Sequence, residues 1–233
     1  MAHETVIRGG EVLTAAGRFA ADIAISGGRI AALGHGLGAA QEEIDATGQI
    51  VTPGGVDPHC HIEQMSGMGQ MNADTFETAT ASAAFGGTTT LISFAAQTVG
   101  ERPRDTVAAY AARAARGARV DHAFHLLVAD PGAPHFHDDL VALAAEGHRS
   151  VKVFTTYNIA LDDAQLLAVM DTCREAGALL CVHAESDAIL ARARAALLAA
   201  GRTAPRDHAA ARPRAAEAEA VHRICRFAEL TGA

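Results

Sequence analysis

Apolar positions along the chain fall into two regimes. Through residue 50, the stretches TVIRGGEVLT, ADIAISGGRIAALG and EEIDATGQIVTPGG set β-branched residues beside Gly-Gly and similar turn points, the pattern of short strands and tight turns. From residue 51 the rhythm becomes strand, loop, helix. QIVTPGGVDPHCH is an apolar strand ending at a Pro-Gly-Gly break and a histidine pair. A helix is predicted over about 73–84, then a strand TTTLISFAA, a helix over about 104–117 and a strand DHAFHLLVAD. A helix opened by Asp138, the strand SVKVFTTY, a helix from Asp162 to Gly177 and the strand ALLCVHAES follow. Two helices, about 186–200 and 213–230, close the chain, with Pro213 suited to a first turn.

Five short apolar strands alternating with helices indicate an α/β fold with a parallel sheet and helical crossovers. Residues 1–50 form a small β-rich unit and 51–233 the main body. An open sheet and part of an eight-stranded barrel both fit. Both place chemistry at strand ends, where His59, His61, Lys152 and His183 fall.

Composition narrows the function classes. Hydrophobic residues make up 49% and charged residues 20%, as in a globular protein. A net charge of -8, with no basic stripe interleaved with aromatics, speaks against nucleic acid as a partner. The arginines of 102–119 and 192–214 are expected on solvated helix faces. The first residues lack a signal-peptide core, and no uncharged apolar run reaches the roughly 18 residues of a membrane span. A cytoplasmic protein with no membrane partner is expected, its four cysteines buried as reduced thiols.

His59 and His61 lie two apart, so on a strand both imidazoles would face one side and reach one cation. The same spacing recurs at His135 and His137 after DPGAP, where a loop and an incidental pair are expected. Lys152 is the sole lysine; the other 18 of 19 basic residues are arginine. Its neighbours Val151, Val153 and Phe154 make a strand apolar on both faces, where an ammonium is costly and the amine is driven neutral. A neutral amine can add carbon dioxide, and the resulting carbamate can bridge two metal ions. A lysine whose head reaches solvent or pairs with an acid is the alternative. His183 could ligate a second metal or be a hydrogen-bonded core residue. FGGTTT at 85–90 lacks the Gly-Lys-Ser/Thr of a phosphate loop and reads as a helix-to-strand turn.

Taken in order, VTPGGVDPHCH, FGGTTTLISFA, SVKVFTTY, VHAES and ARPRAAEAEAVHR resemble the cyclic amidohydrolases of the hydantoinase and dihydropyrimidinase branch of the amidohydrolase superfamily. The resemblance implies a partial TIM-like barrel behind part of a small β-sandwich. It implies metal ligation by His59, His61, carboxylated Lys152 and His183, with two divalent ions, zinc by preference. Tyr157 matches the family tyrosine that hydrogen-bonds the substrate carbonyl or its oxyanion; alone it would be a half-buried packing residue. The implied substrate is a small cyclic amide or imide, opened to an N-carbamoyl amino acid. A homo-oligomer, a tetramer in the complete family fold, is implied as well. The loop MSGMGQMNADTF, residues 65–76, would lie over the mouth, its methionines lining the site or packing on the rim.

The same resemblance implies a sixth-strand histidine and a proton-shuttling aspartate that these 233 residues do not contain. The chain is therefore expected to be the amino-terminal part of such an enzyme, truncated after the fifth strand and inactive by itself. Rival expectations are a non-catalytic assembly homologue and an allantoinase. Dihydroorotases carry an arginine where this chain has Glu63, which disfavours that activity.

Overall fold

A computed structural model describes residues 2–67 and 69–233; Met68, one of the loop methionines, lies outside the described residues. The chain divides into two compact units, Met1–Gly55 and Val56–Ala233. In the first, β1 (His3–Arg8), β2 (Glu11–Thr14), β3 (Gly17–Ala20), β4 (Asp22–Ser26), β5 (Arg29–Gly34), β6 (Ala40–Asp45) and β7 (Ile50–Val51) form two sheets. Their orders are β5-β4-β1-β6 and β3-β2-β7. The β4–β5 hairpin turns through Gly27 and Gly28, both at positive φ (60° and 68°), a pairing glycine adopts without steric cost. Val6, Val12, Ile23 and Ala24 are buried in this unit.

The second unit carries β8 (Gly55–Cys60), α1 (Phe76–Phe85), β9 (Thr88–Ala96), α2 (Pro103–Ala114), β10 (Asp121–Leu127), α3 (Phe136–Ala145) and β11 (Ser150–Phe154). After these come α4 (Asp163–Ala176), β12 (Leu179–His183), α5 (Asp187–Ala199), a 3-10 turn (Pro205–Asp207), α6 (His208–Ala211) and α7 (Arg214–Thr231). The sheet order β12-β11-β10-β9-β8 follows the sequence, and β9 to β12 run parallel. Strands joined by helical crossovers in this order curl into half of a (β/α)8 barrel, the expected fold. Val151 and Val153, with Leu91 and Leu126, pack against Phe76, Tyr110, Leu140, Leu166 and Val169 of α1 to α4. Truncating one such side chain to alanine costs about 2–5 kcal/mol.

Local chemistry sets the helix ends. The Asp162 side chain accepts from Gln165 N and Gln165 reaches back to the Asp162 amide, a capping box; Gly177 closes α4 at φ 63°. α3 begins at Phe136 rather than Asp138, because the buried Phe136 ring joins the core. The His135/His137 pair is thus not in a loop: His135 is the left-handed cap and His137 sits in the first turn, bonded to Glu175. Pro213 caps α7 from outside its first turn. Of the cysteines, all free, Cys173 is buried but Cys225 is exposed, against expectation. Gly86 and Gly87 make the helix-to-strand turn that FGGTTT predicted. Among the described residues, no helix is long and apolar enough to cross a membrane.

Candidate metal centre

Strand register decides which side chains share the concave face. Lys152 stands level with Leu127 on β10 and Cys181 on β12, Phe154 with His183, and Phe94 on β9 with His125 on β10. Alternation along each strand then puts Phe94, His125, Ser150, Lys152, Phe154 and His183 on one face. Val151 and Val153 take the opposite face, toward the helices.

At the end of β8, the His59 and His61 rings lie 5.6 Å apart, centroid to centroid. Two imidazoles sharing one tetrahedral zinc would stand roughly 5 Å apart, given zinc–nitrogen bonds of about 2 Å. Phe94 sets that spacing: its ring meets His59 at 4.7 Å and stacks on His61 at 4.8 Å. His61 Nδ1 is held by Gln64 Oε1 at 2.6 Å, which leaves Nε2 as its outward nitrogen. Partial desolvation, then the neighbouring Lys152, hold the His59 pKa below its ordinary value.

Lys152 is only 8% exposed. Among the described residues it has no acid partner in any salt bridge, and its Nζ lies 5.0 Å from the Phe154 ring. Desolvation lowers its pKa and favours the neutral amine. Phe154 also stacks on His183 at 5.4 Å, so one ring touches both Lys152 and His183. Tyr157, 49% exposed in the loop after β11, has its ring 5.4 Å from His183.

Among the described residues, no group of three or more His, Cys, Asp and Glu side chains stands ready to hold a metal. Histidines 59 and 61 come together as a pair, and His183 joins Lys152 through Phe154. His59 and Lys152 are near enough for the charge of one to depress the pKa of the other. Imidazole nitrogens suit zinc, and a carbamate formed on the amine would add two anionic oxygens to that donor set.

Four contributors were not legible as site residues. Phe94 reads as an ordinary strand residue. His125 bridges strands through Ser150 Oγ (2.6 Å) and the Pro58 carbonyl (2.8 Å). Glu185 and Arg212 form an ion pair, so Arg212 departs from the solvated helix face expected of the 192–214 arginines. Its place in ARPRAAEAEAVHR was the available signal. Glu63, for its part, is occupied by Arg116 and the Phe76 amide. Met65 lines a cavity of about 350 Å³ with Gln97, Leu127 and Asn158, and bridges to Met71.

No family model matches the chain. Individual proteins do. It is 42% identical over 241 residues to a D-hydantoinase of Streptomyces coelicolor, covering 100% of this chain and 51% of that one. The solved D-hydantoinase of Bacillus sp. AR9 superposes with a TM-score of 0.93 at 40% identity, over 99% of this chain and 50% of the other. For the dihydropyrimidinase of Brevibacillus agri the TM-score is 0.92 at 38% identity, over 98% and 50%. The chain spans about half the length of the curated relatives it matches.

Proposed function

We propose, for a chain that belongs over the length it spans to the D-hydantoinase and dihydropyrimidinase family, that it supplies the carboxylated-lysine part of a cyclic amidohydrolase site. The substrate is a hydantoin or dihydropyrimidine, whose ring amide is hydrolysed to an N-carbamoyl amino acid. One observation carries this reading. The single lysine is buried with no acid partner among the described residues, near the His59 imidazole, on the concave face of a half-barrel.

Lys152 acts first. Its neutral Nζ adds to carbon dioxide and releases a proton to solvent, leaving a carbamate with two anionic oxygens in place of an unwelcome ammonium. That anion, with His59, His61 and His183, would hold two divalent ions, zinc by the nitrogen-rich donor set. When bound, such a pair supplies an acidified water and polarises a carbonyl. Tyr157 positions the substrate. Arg212 Nη2 donates to the Tyr157 oxygen at 2.8 Å, and arginine has no acceptor, so the tyrosine proton is left to donate to the ring carbonyl. As water adds to that carbon, its oxygen gains charge and this hydrogen bond strengthens. The partner is thus a small cyclic amide or imide, in keeping with a chain of net charge -8.

The test grafts residues 1–233 in place of the matching half of the Streptomyces coelicolor D-hydantoinase. Opening of hydantoin or dihydrouracil is then measured with zinc and bicarbonate. The chimera is expected to open the ring and to lose that activity with Lys152→Arg, and the 233-residue chain alone to turn over far more slowly. A chimera that folds and binds zinc yet opens neither ring would overturn the assignment.

A further inference from the structure

Glu185 has no role in the chemistry above and Arg212 enters it only through the Tyr157 oxygen, yet the two tie His183 and Tyr157 together. Glu185 Oε2 stands 2.5 Å from His183 Nε2. Arg212 grips the same carboxylate twice, through Nε at 3.1 Å from Oε1 and through Nη2. Nη2 also donates to the Tyr157 hydroxyl, and the guanidinium carbon lies 5.2 Å over the Tyr157 ring. A guanidinium is planar, with donors in a fixed fork, so it serves both partners only where both keep their places.

The backbone is braced around this clamp. Thr155 Oγ1 lies 2.8 Å from the Glu185 carbonyl oxygen and 3.1 Å from that of His183, sharing its one proton between them, and accepts from the Glu185 amide. Thr156 donates to the Asp187 carboxylate. Tyr157 itself sits at φ 71°, in the left-handed region that a tyrosine occupies only when its surroundings hold it there.

We propose that Glu185 and Arg212 are positioning residues that couple the ligand imidazole of His183 to the Tyr157 hydroxyl. Glu185 takes His183 Nε2–H, which fixes the tautomer and leaves Nδ1 as the nitrogen for a cation. Arg212 carries that constraint across to Tyr157, so the ligand and the substrate contact move as one unit. This rests on the metal-centre reading given above for His183 and Tyr157.

Zinc affinity and fluorotyrosine NMR, read together on the full chain, test it. The chain has two tyrosines, so Tyr157→Phe assigns both resonances, and the buried Tyr110 serves as internal reference. Glu185→Gln is the discriminating variant, because the tyrosine oxygen is bonded by Arg212 and not by Glu185. It is expected to shift the Tyr157 resonance, leave that of Tyr110 in place, and weaken zinc binding about 10–100-fold. Arg212→Lys, which keeps the charge but loses the fork, should shift the Tyr157 resonance as far as Arg212→Gln does. The proposal is overturned if Glu185→Gln leaves the Tyr157 resonance unmoved, if zinc affinity is unchanged, or if lysine restores the parent spectrum. Should the parent chain bind no zinc, the metal-centre reading fails, and the fluorine resonances still decide whether His183 and Tyr157 are coupled.

Discussion

Phe94 offers the sharpest link between packing and the proposed chemistry. Its ring is 3% exposed and meets His59, His61 and His125 at 4.7, 4.8 and 5.0 Å. Phe94→Ala removes a buried aromatic side chain, at a cost of about 3–5 kcal/mol. Phe94→Leu keeps most of the buried apolar volume and loses the ring contacts, each at the low end of about 0.5–1.5 kcal/mol because His59 and His61 are exposed, or about 1.5 kcal/mol together. With a urea dependence of about 2 kcal/mol per molar, the alanine variant should lower the unfolding midpoint of the second unit by roughly 2 M, and the leucine variant by less than half that. Far-UV circular dichroism follows the transition, and zinc titration follows the histidine pair. Both variants should bind zinc more weakly, since Phe94 sets the 5.6 Å spacing of the imidazoles. The reasoning is refuted if Phe94→Ala unfolds within about 0.5 M of the parent, or if zinc affinity survives the loss of the ring.

Other perturbations reach separate parts of the account. The Asp139 carboxylate is nearly buried and forked by Arg102, whose hydrogen bond outweighs desolvation and holds its pKa below the ordinary value. Its stabilising contribution is complete above the unfolded value near 4 and is lost as pH falls through the depressed native one. Arg102→Met should therefore flatten the acid limb of a stability–pH curve, and an unchanged limb would count against the pair. Gly177→Ala at φ 63° should cost about 1 kcal/mol, read as a lowered melting temperature, unless the turn after α4 relaxes to negative φ. Glu63→Gln should loosen the start of α1 by weakening the contacts to Arg116 and the Phe76 amide, seen as faster amide exchange at Phe76.

Much of the fold was legible because its signals are local. The five-fold alternation of apolar strand and helix, the helix start near Asp162 and the Gly177 stop each lie within a few consecutive residues, and the structure follows them. Helix starts were less readable. Phe136 extends α3 backward because the core accepts its ring, a tertiary effect that the acidic first turn at Asp138 conceals. The site divides along the same line. His59, His61 and Lys152 stand out by spacing or by rarity in the sequence. Phe94, His125, Glu185 and Arg212 act across strands, and Arg212 meets Tyr157 from 55 residues away, a contact with no periodic trace. Arginines in an alanine-rich stretch look alike until one of them finds a half-buried carboxylate, as Arg212 finds Glu185.

The most direct test of the central claim is native mass spectrometry of the chain incubated with zinc and bicarbonate, with peptide mapping to locate the adduct. The account predicts zinc held together with one carbon dioxide on Lys152, both lost in Lys152→Arg. An unmodified Lys152, or zinc retained equally by Lys152→Arg, would contradict it.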